Sequence, residues 1–285
     1  MRGSTRTPSA SPPEQRVEAH APTAAVRGGR IRAGLRLSGI GAWTALSFLA
    51  WAAGAFITLL VPRARLRWRQ RVVRGWARGV GFLFGMRVTV AGRPPKAPFF
   101  LVANHLSYVD IILLYTCLDA VFIAKRDMRH WPVLGPLAHV MGTIWVNREV
   151  RRDAVRVLDL IDEAIARGDG VILFAEGTTT QGDALLPMKP ALFDWAAREQ
   201  FPVHHATITY RTLSGSPPAN LAVAWWGDMP FGAHAVKLCR LRGFDATVEF
   251  GPDAIVAPTR GELAARIQQA IEERFVPLVG PEGNA

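Results

Sequence analysis

The chain of 285 residues is 49% hydrophobic, which is enough to bury one substantial core and leaves room for an appended segment. Its two cysteines, Cys117 and Cys239, form neither a disulfide framework nor a metal-ligand spacing, which excludes a disulfide-stabilised secreted scaffold. The net charge of +11 is concentrated in residues 1–96, which carry 17 basic and 2 acidic side chains against 17 and 21 in the remaining 189, so this first third is expected to meet an anionic surface.

The first 29 residues are rich in Arg, Ala, Ser, Thr and Pro and lack apolar periodicity. Such a composition buries too little apolar surface to fold by itself. We therefore predict a disordered basic N-terminus over residues 1–35.

An uncharged run of 26 residues follows at 37–62 and exceeds the about 20 residues that cross a bilayer core. Arginines flank it on both sides, so the positive-inside rule gives no orientation. A helical hairpin that dips into one leaflet fits this symmetry better than a span. A cleaved signal peptide fits less well because the run starts late and is long. A buried core helix is hard to reconcile with the flanking arginines.

Residues 66–84 interleave arginines with Trp, Val and Phe, a pattern that favours a helix at a membrane interface. Nucleic-acid binding is the alternative for the basic flanks, but no recognised nucleic-acid-binding motif follows. We predict a membrane-anchoring helical segment over residues 36–85, with the lipid bilayer rather than nucleic acid as its partner.

Strands and helices alternate after Arg87. Strands are predicted at 87–91, 98–102, 120–124, 143–147, 170–175, 203–210, 221–226 and 246–250. Helices are predicted at 107–118, 132–141, 151–167, 191–200, 233–241 and 260–275. The alternation predicts an α/β domain over residues 86–285, with a mixed, mainly parallel sheet flanked by helices. In such sheets functional side chains lie on the loops that follow the carboxyl ends of the strands.

His105 and Asp110 lie where the strand at 98–102 gives way to a helix. Five residues on a continuous helix would rotate the two side chains about 140° apart, so their pairing requires a bend between them. With that bend, the carboxylate can accept a hydrogen bond from one ring nitrogen and leave the other free to accept a proton. The pair then acts as a general base with its orienting acid, and a hydroxyl is its natural substrate. The alternative interpretation is structural, because Ser107 followed three residues later by Asp110 also resembles a helix N-cap.

A carboxylate, a glycine and hydroxyls follow the strand at 170–175, namely Glu176, Gly177 and Thr178. Their backbone amides and hydroxyls can bind a polar headgroup, although such a loop taken alone is an ordinary turn. Arg148 and Lys125 also follow predicted strands. A guanidinium at this edge can bind a phosphate through two hydrogen bonds, whereas either residue taken singly could be a solvated surface charge.

Four blocks of the sequence resemble the PlsC-like glycerolipid acyltransferases, typified by 1-acylglycerol-3-phosphate acyltransferase. Residues 104–110 (NHLSYVD) resemble the NHxxxxD block, and residues 143–148 (TIWVNR) resemble the block that ends in a phosphate-binding arginine. Residues 174–178 (FAEGT) resemble the FPEGT block, and residues 201–203 (FPV) stand where the family has a Pro-containing strand. The blocks occur in the family order and cover about residues 80–250.

The resemblance implies transfer of a fatty acyl chain from acyl-CoA or acyl carrier protein to the hydroxyl of a lysolipid. The expected acceptor is 1-acylglycerol-3-phosphate, which gives phosphatidic acid in phospholipid biosynthesis. His105 would take the hydroxyl proton and Asp110 would hold the imidazolium, while backbone amides near the helix start would meet the oxyanion. The residues implied in substrate binding are Asn104, Lys125, Arg148, Glu176, Gly177 and Thr178. No metal or bound cofactor is implied, and the enzyme should lie on the inner or plasma membrane with its catalytic domain on the cytoplasmic side.

Two departures from the family pattern bear on the acceptor. Thr179 stands where phosphatidate-forming members commonly have an arginine that contacts the headgroup, whereas Ala175 for Pro should matter little. The EGTTTxGD version of the third block, together with residues 224–229 (AWWGDM), resembles branches that acylate lyso-ornithine lipids, which is the alternative acceptor. The non-enzyme alternative is a membrane-attached lipid-binding module. The intact His105, Asp110 and Glu176 argue against it.

Overall fold

The computed structural model describes residues 29–131, 134–146 and 151–279. The helices are α1 (Gly29–Ile57), α2 (Pro62–Phe84), α3 (Val109–Cys117), α4 (Leu134–Val140), α5 (Arg151–Arg167), α6 (Asp194–Arg198), α7 (Ala219–Ala222), α8 (Phe231–Arg240) and α9 (Arg260–Glu272). The strands are β1 (Met86–Ala91), β2 (Phe100–Ala103), β3 (Ala120–Lys125), β4 (Ile144–Val146), β5 (Gly170–Leu173), β6 (Val203–Thr212) and β7 (Phe244–Phe250). Two 3-10 helices cover Arg126–His130 and Pro190–Phe193.

The strands of the described residues form one seven-stranded sheet in the order β1-β7-β6-β2-β5-β3-β4. Every neighbouring pair in it is parallel except β6 and β7, which confirms the predicted mixed, mainly parallel sheet. Because β2, β5, β3 and β4 run in one direction, the loops that leave their carboxyl ends meet along one rim. The central strand β2 is fully buried on both faces, so that rim has a rigid base.

Helices cover both faces of the sheet. Side chains alternate along β2: Leu101 and Ala103 belong to the core beneath α2, α3 and α8, and Phe100 and Val102 belong to the core beneath α5, α6 and α9. The two layers explain the near-continuous apolar runs of the parallel strands.

The predicted uncharged run is divided between a long helix and a turn, after which α2 returns alongside α1. Three indole N–H groups join these two helices. Trp43 donates to the carbonyl of Trp76 at 3.2 Å, Trp68 donates to the carbonyl of Ala50 at 3.1 Å, and Trp76 donates to the hydroxyl of Thr44 at 3.0 Å. The pair is therefore a helical hairpin, but it differs from the predicted one: residues 37–57 belong to one continuous helix, and the basic segment α2 forms the second arm.

Helix α1 is long and apolar enough to cross a membrane, and no other helix in the described ranges meets that test. Large apolar side chains are exposed at the tip of the hairpin, where Phe56 is 81% exposed and Leu60 is 91% exposed. A surface of this kind on a monomer indicates contact with another apolar phase.

Some of the basic side chains of α2 form ion pairs with acidic side chains of the α/β domain. Arg69 and Gln70 both contact the fully buried Asp169 at the start of β5. Arg74 pairs with Asp119 at 2.8 Å. These arginines hold α2 against the domain, so they do not contribute to an anion-facing surface as the charge pattern alone predicted.

One face of α2 lies in the same core as the sheet; its buried members are Val73, Trp76, Ala77, Val80 and Phe84. The predicted anchoring segment and the predicted domain thus share a core across their boundary at residue 86. Helix α1 begins at Gly29, inside the segment predicted to be disordered, and the rest of that segment lies outside the described residues. Arg36 helps to order the start of α1 because it donates to the carbonyl of Leu241 at 2.8 Å.

The strand predicted at 221–226 is wrong. The structure has the short helix α7 there, followed by an irregular segment, because Pro218 starts a helical turn. The amides of Val223 and Ala224 both bond back to the carbonyl of Ala219 at 2.9 Å. Ala222, Val223 and Ala224 are buried through this turn instead, whereas Leu221 is exposed. The helix predicted at 191–200 is a 3-10 turn followed by α6.

Candidate active site

The turn between β2 and α3 carries the predicted histidine and aspartate. Strand β2 ends at Ala103 and α3 begins at Val109, so residues 104–108 supply the bend that the pairing requires. His105 Nδ1 lies 2.7 Å from Asp110 Oδ2. The fold therefore brings the two side chains together at the rim, on the central strand.

Asp110 is fully buried and accepts from four donors. Its Oδ2 accepts from His105 Nδ1 and from the amides of Leu106 at 2.7 Å and Ser107 at 2.9 Å. Its Oδ1 accepts from the hydroxyl of Tyr210 at 2.6 Å. Both carboxylate oxygens are thus fixed in place, because any rotation would strand buried donors.

The N-cap interpretation of this turn is wrong for Ser107. The residue at the N-cap position is Tyr108, which makes no side-chain capping bond, and Ser107 Oγ has no hydrogen-bond partner among the described residues. Asp110 instead accepts from the amides of Leu106 and Ser107, which precede α3, as the acidic residue of a capping box does, so one carboxylate both fixes the chain before the helix and orients the histidine.

The His105 ring is held in one plane and one tautomer. Because Asp110 accepts from Nδ1, that nitrogen carries the proton and Nε2 remains as the acceptor. The ring stacks on Phe174, with centroids 3.8 Å apart and an interplanar angle of 7°. The side chain is 17% exposed, so the ring is supported on one side and open to a substrate on another. This arrangement can act as a general base toward a hydroxyl.

The loop after β5 clamps the backbone of His105 from both sides. Glu176 Oε1 accepts from the amide of His105 at 2.7 Å, and Glu176 Oε2 accepts from the amide of Leu186 at 2.9 Å. The amide of Thr180 donates to the carbonyl of His105 at 3.1 Å. Glu176 is 2% exposed, and burial raises its pKa to about 7. Its carboxylate therefore positions the turn of residues 104–108, the candidate catalytic turn, from behind, whereas the sequence predicted a substrate contact.

These hydrogen bonds also exclude some of the backbone amides that could have met the oxyanion. The amides of His105, Leu106 and Ser107 already donate to Glu176 and Asp110. The predicted oxyanion donors near the helix start are therefore not these three groups.

Glu176→Gln is expected to change how stability depends on pH. The native state binds the Glu176 proton more tightly than the unfolded chain, since burial raises the pKa from 4.5 to about 7. The stability that this group contributes is thus fully present below about pH 4.5 and is lost as the pH rises through about 7, by at most about 1.4 kcal/mol per pH unit. As the pH rises from about 4.5 to about 7, the unfolding midpoint of the wild type in detergent should fall more than that of the Glu176→Gln variant.

The matched control is Glu163→Gln, which changes an exposed glutamate on α5. Its curve should run parallel to that of the wild type. Parallel curves for Glu176→Gln and the wild type between pH 4.5 and 7 would contradict the raised pKa.

Asn104 faces the neighbouring strand rather than the rim. It is 1% exposed, and its amide both donates to the carbonyl of Ile208 at 3.0 Å and accepts from the amide of Ile208 at 2.7 Å. With these bonds made, the side chain joins β2 to β6. We therefore replace its predicted substrate contact with a structural role.

The other predicted binding residues lie at the rim or outside the described residues. Lys125 ends β3, two strands from β2, and pairs with Asp127 at 2.7 Å on an exposed surface. Gly177 adopts φ 77°, a left-handed conformation that suits glycine, and Thr178 is exposed beside it. Arg148 lies outside the described residues, so its phosphate contact stays a prediction. In the described ranges, no group of three or more His, Cys, Asp or Glu residues is placed to hold a metal ion.

An aromatic cluster flanks the catalytic turn on the side of α8. The ring of Tyr108 lies 5.9 Å from that of Trp225 and 4.9 Å from that of Phe231, and Trp131 completes the group. The amide of Trp225 donates to the carbonyl of Leu106 at 2.9 Å. The segment around Trp225 was predicted as a strand, and it is instead a wall beside the candidate active site.

Sequence reasoning missed Phe174, Thr180 and Tyr210. Phe174 stood inside the predicted strand at 170–175 and began the FAEGT block, but neither pattern showed its contact with the His105 ring, and Thr180 was one of several hydroxyls. Tyr210 stands at the end of a predicted strand on the face of Ile208, but nothing local connects it to Asp110. A two-residue spacing that places Ile208 and Tyr210 on one face was the available signal.

Comparisons with known proteins agree with this geometry. A family model described as Acyltransferase matches residues 87–209. The chain is 35% identical to the lyso-ornithine lipid O-acyltransferase of Rhizobium meliloti, over 65% of this chain and 68% of that protein. It is 34% identical to the lyso-ornithine lipid O-acyltransferase of Brucella abortus, over 71% of this chain and 80% of that protein.

Two further matches are named as acyltransferases that act on 1-acylglycerol phosphate. The chain is 30% identical to the 1-acyl-sn-glycerol-3-phosphate acyltransferase of Neisseria meningitidis serogroup B, over 71% of this chain and 80% of that protein. The crystal structure of the 1-acyl-sn-glycerophosphate acyltransferase PlsC from Thermotoga maritima matches with a TM-score of 0.63, over 87% of this chain and 96% of that chain. Its sequence identity is 18%, so that match concerns the fold.

Proposed function

We propose, from the premise that this chain belongs to the PlsC-like acyltransferase family, that it transfers a fatty acyl group from a thioester to the hydroxyl of a lysolipid. The family expected from the four sequence blocks is thereby the family that the comparisons give. The observation that carries the proposed activity is the oriented pair of His105 and Asp110, in which Asp110 holds Nδ1 and the His105 side chain remains 17% exposed.

The pair supports a direct transfer. His105 Nε2 takes the proton of the lysolipid hydroxyl as its oxygen attacks the thioester carbonyl, and a tetrahedral oxyanion forms. The oxyanion collapses, the carbon–sulfur bond breaks, and the imidazolium returns its proton to the leaving thiolate. Asp110 holds Nδ1 and stabilises the imidazolium during both steps. No acyl-enzyme forms in this scheme, and acyl-CoA or acyl carrier protein serves as the donor without a bound cofactor.

Two acceptor headgroups are candidates. A phosphate headgroup is supported by the resemblance of Arg148 to a phosphate-binding arginine and by relatives named for 1-acylglycerol-3-phosphate. An ornithine headgroup is supported by Thr179 in place of the headgroup-contacting arginine and by the relatives at 34% and 35% identity. We propose lyso-ornithine lipid as the preferred acceptor, in place of the 1-acylglycerol-3-phosphate expected from the sequence.

The location of the acceptor suggests a role for the hairpin, which is to hold the domain at the bilayer. A lysolipid resides in the bilayer, and the apolar tip of the hairpin with its exposed Phe56 and Leu60 would enter the lipid. The exposed arginines that follow the tip would meet anionic headgroups. We propose that the enzyme is held in this way on the cytoplasmic side of the inner or plasma membrane.

Thiol release by the purified full-length chain tests the proposed function. In detergent micelles, acyl-CoA or acyl carrier protein thioester is supplied with lyso-ornithine lipid, 1-acylglycerol-3-phosphate or no acceptor. We expect release that depends on the acceptor, with kcat/KM about tenfold higher for the ornithine lipid.

Other outcomes separate the alternatives. Equal or higher kcat/KM with 1-acylglycerol-3-phosphate would overturn the acceptor preference and keep the acyltransferase. Binding of lysolipid without thiol release from either donor would favour the lipid-binding module over the enzyme.

A further inference from the structure

We propose that Tyr210 is a positioning residue that sets the basicity of His105 through Asp110. The proposal rests on the proposed function, since it assumes that His105 is the base. It assigns a task to a side chain that lies just beyond the matched family segment, which ends at residue 209.

The geometry is that of a fully buried charge-assisted bond. The hydroxyl of Tyr210 donates to Asp110 Oδ1 at 2.6 Å, within the short range of bonds to carboxylates. Asp110 is fully buried, and Tyr210 is 4% exposed. The other three donors to Asp110 all point at Oδ2, so Tyr210 supplies the one hydrogen bond recorded for Oδ1 among the described residues.

The register of β6 delivers this hydroxyl. Asn104, directly before His105, binds both backbone groups of Ile208. Tyr210 follows Ile208 by two residues and points to the same face of the sheet, the face on which α3 carries Asp110. The Asn104 bonds therefore set the position of Tyr210 beneath the Asp110 carboxylate. An asparagine directly before His105 thus aligns β6 with the turn that carries the histidine.

The direction of the effect follows from electrostatics. A hydrogen bond to a carboxylate spreads its negative charge toward the donor and weakens its attraction for a neighbouring imidazolium. Tyr210 thus keeps the base from being protonated too readily and stops the carboxylate from rotating. Burial raises the pKa of Tyr210 well above its usual value, so the hydroxyl remains a donor at every working pH.

Other titratable groups face the pair and must be held constant. They are Glu176 on the loop after β5, which interacts with both His105 and Asp110, and Tyr108 on the catalytic turn, which interacts with Tyr210. Tyr210→Phe leaves both groups in place. A difference between this variant and the wild type therefore reports on the Tyr210 hydroxyl.

The test is an NMR titration of ¹³C-labelled histidine in the full-length protein, with the His105 resonance identified by its absence in His105→Ala. In Tyr210→Phe we expect the His105 titration midpoint to rise by about 0.5 to 1 pH unit. The acid limb of the kcat profile should move by the same amount, with the KM for the acceptor within about twofold of the wild-type value.

Tyr115→Phe is the matched control. Tyr115 is a buried tyrosine of the same helix as Asp110, and its hydroxyl has no hydrogen-bond partner among the described residues. This variant should leave the His105 midpoint unchanged. If Tyr210→Phe lowers the unfolding temperature but leaves the midpoint within about 0.2 unit of wild type, Tyr210 is merely structural and the proposal fails.

A background variant keeps the proposal distinct from the proposed function. In Asp110→Asn protein, adding Tyr210→Phe should no longer move the His105 midpoint, because the carboxylate that transmits the effect is gone. A shift that persists there would overturn the proposal. The titration needs no turnover, so a midpoint shift without acyl transfer to any acceptor would uphold the Tyr210 coupling while the proposed function fails.

Discussion

His105→Ala is expected to lower kcat for acyl transfer by about 10³-fold, because it removes the group that takes the hydroxyl proton. The loss should appear in kcat rather than in the KM of either substrate, since the imidazole acts in the transition state. Added imidazole should restore part of the rate, because the site beside Phe174 is accessible and Asp110 still presents its carboxylate. Acceptor-dependent thiol release with and without imidazole is the measurement.

The fold should survive this change. Asp110 keeps its donors from the two amides and from Tyr210, so the buried charge is not left bare. His139→Ala, at an exposed position of α4, is the matched control and should turn over like the wild type. A His105→Ala protein that folds and keeps more than about a tenth of wild-type kcat would remove histidine from the role of base.

The catalytic turn was predictable because its chemistry is local. A buried strand, a bend and a helix start fall within a few residues, and the bend brings His105 to Asp110 as the spacing required. The rim was predictable too, since parallel strands send their carboxyl ends to one edge. Glu176 was therefore expected at the same rim as His105, although its partner is the backbone amide of His105 rather than a substrate.

Contacts between distant parts of the chain were not predictable. Tyr210 lies 100 residues from Asp110, and only the sheet order, with β6 beside β2, brings them together. The partners of the basic residues of α2 could not be predicted for the same reason. Their pattern indicates an anionic partner, but it cannot distinguish a lipid headgroup from Asp169, which lies 100 residues after Arg69.

The strand predicted at 221–226 failed for a related reason. Short apolar runs fit a strand and a buried turn equally well, and periodicity alone does not separate them. Pro218 decided the outcome by starting a helical turn that buries Val223 and Ala224. The consequence is functional, because this turn places Trp225 beside the catalytic turn instead of in the sheet.

Asp110→Asn is expected to lower kcat by about 10²-fold to 10³-fold while the protein stays folded. The amide oxygen can take the position of Oδ2 and accept from His105 and from the amides of Leu106 and Ser107. The amide nitrogen then faces Tyr210, whose hydroxyl can accept as well as donate. The substitution therefore removes the charge that stabilises the imidazolium and leaves most of the hydrogen bonds.

Combining His105→Ala with Asp110→Asn shows whether Asp110 only orients His105 or also acts on the substrate by itself. If Asp110 acts only through the imidazole, the double variant His105→Ala, Asp110→Asn should be no slower than His105→Ala alone, because residues that act as a unit do not add. Asp162→Asn, at an exposed position of α5, controls for the loss of one acidic charge and should leave kcat at the wild-type level. A double variant slower than His105→Ala by the full factor of Asp110→Asn would mean that the carboxylate acts on the substrate directly. That result would contradict the burial of Asp110 behind the ring, since a fully buried carboxylate with four donors has no surface to offer a lipid hydroxyl.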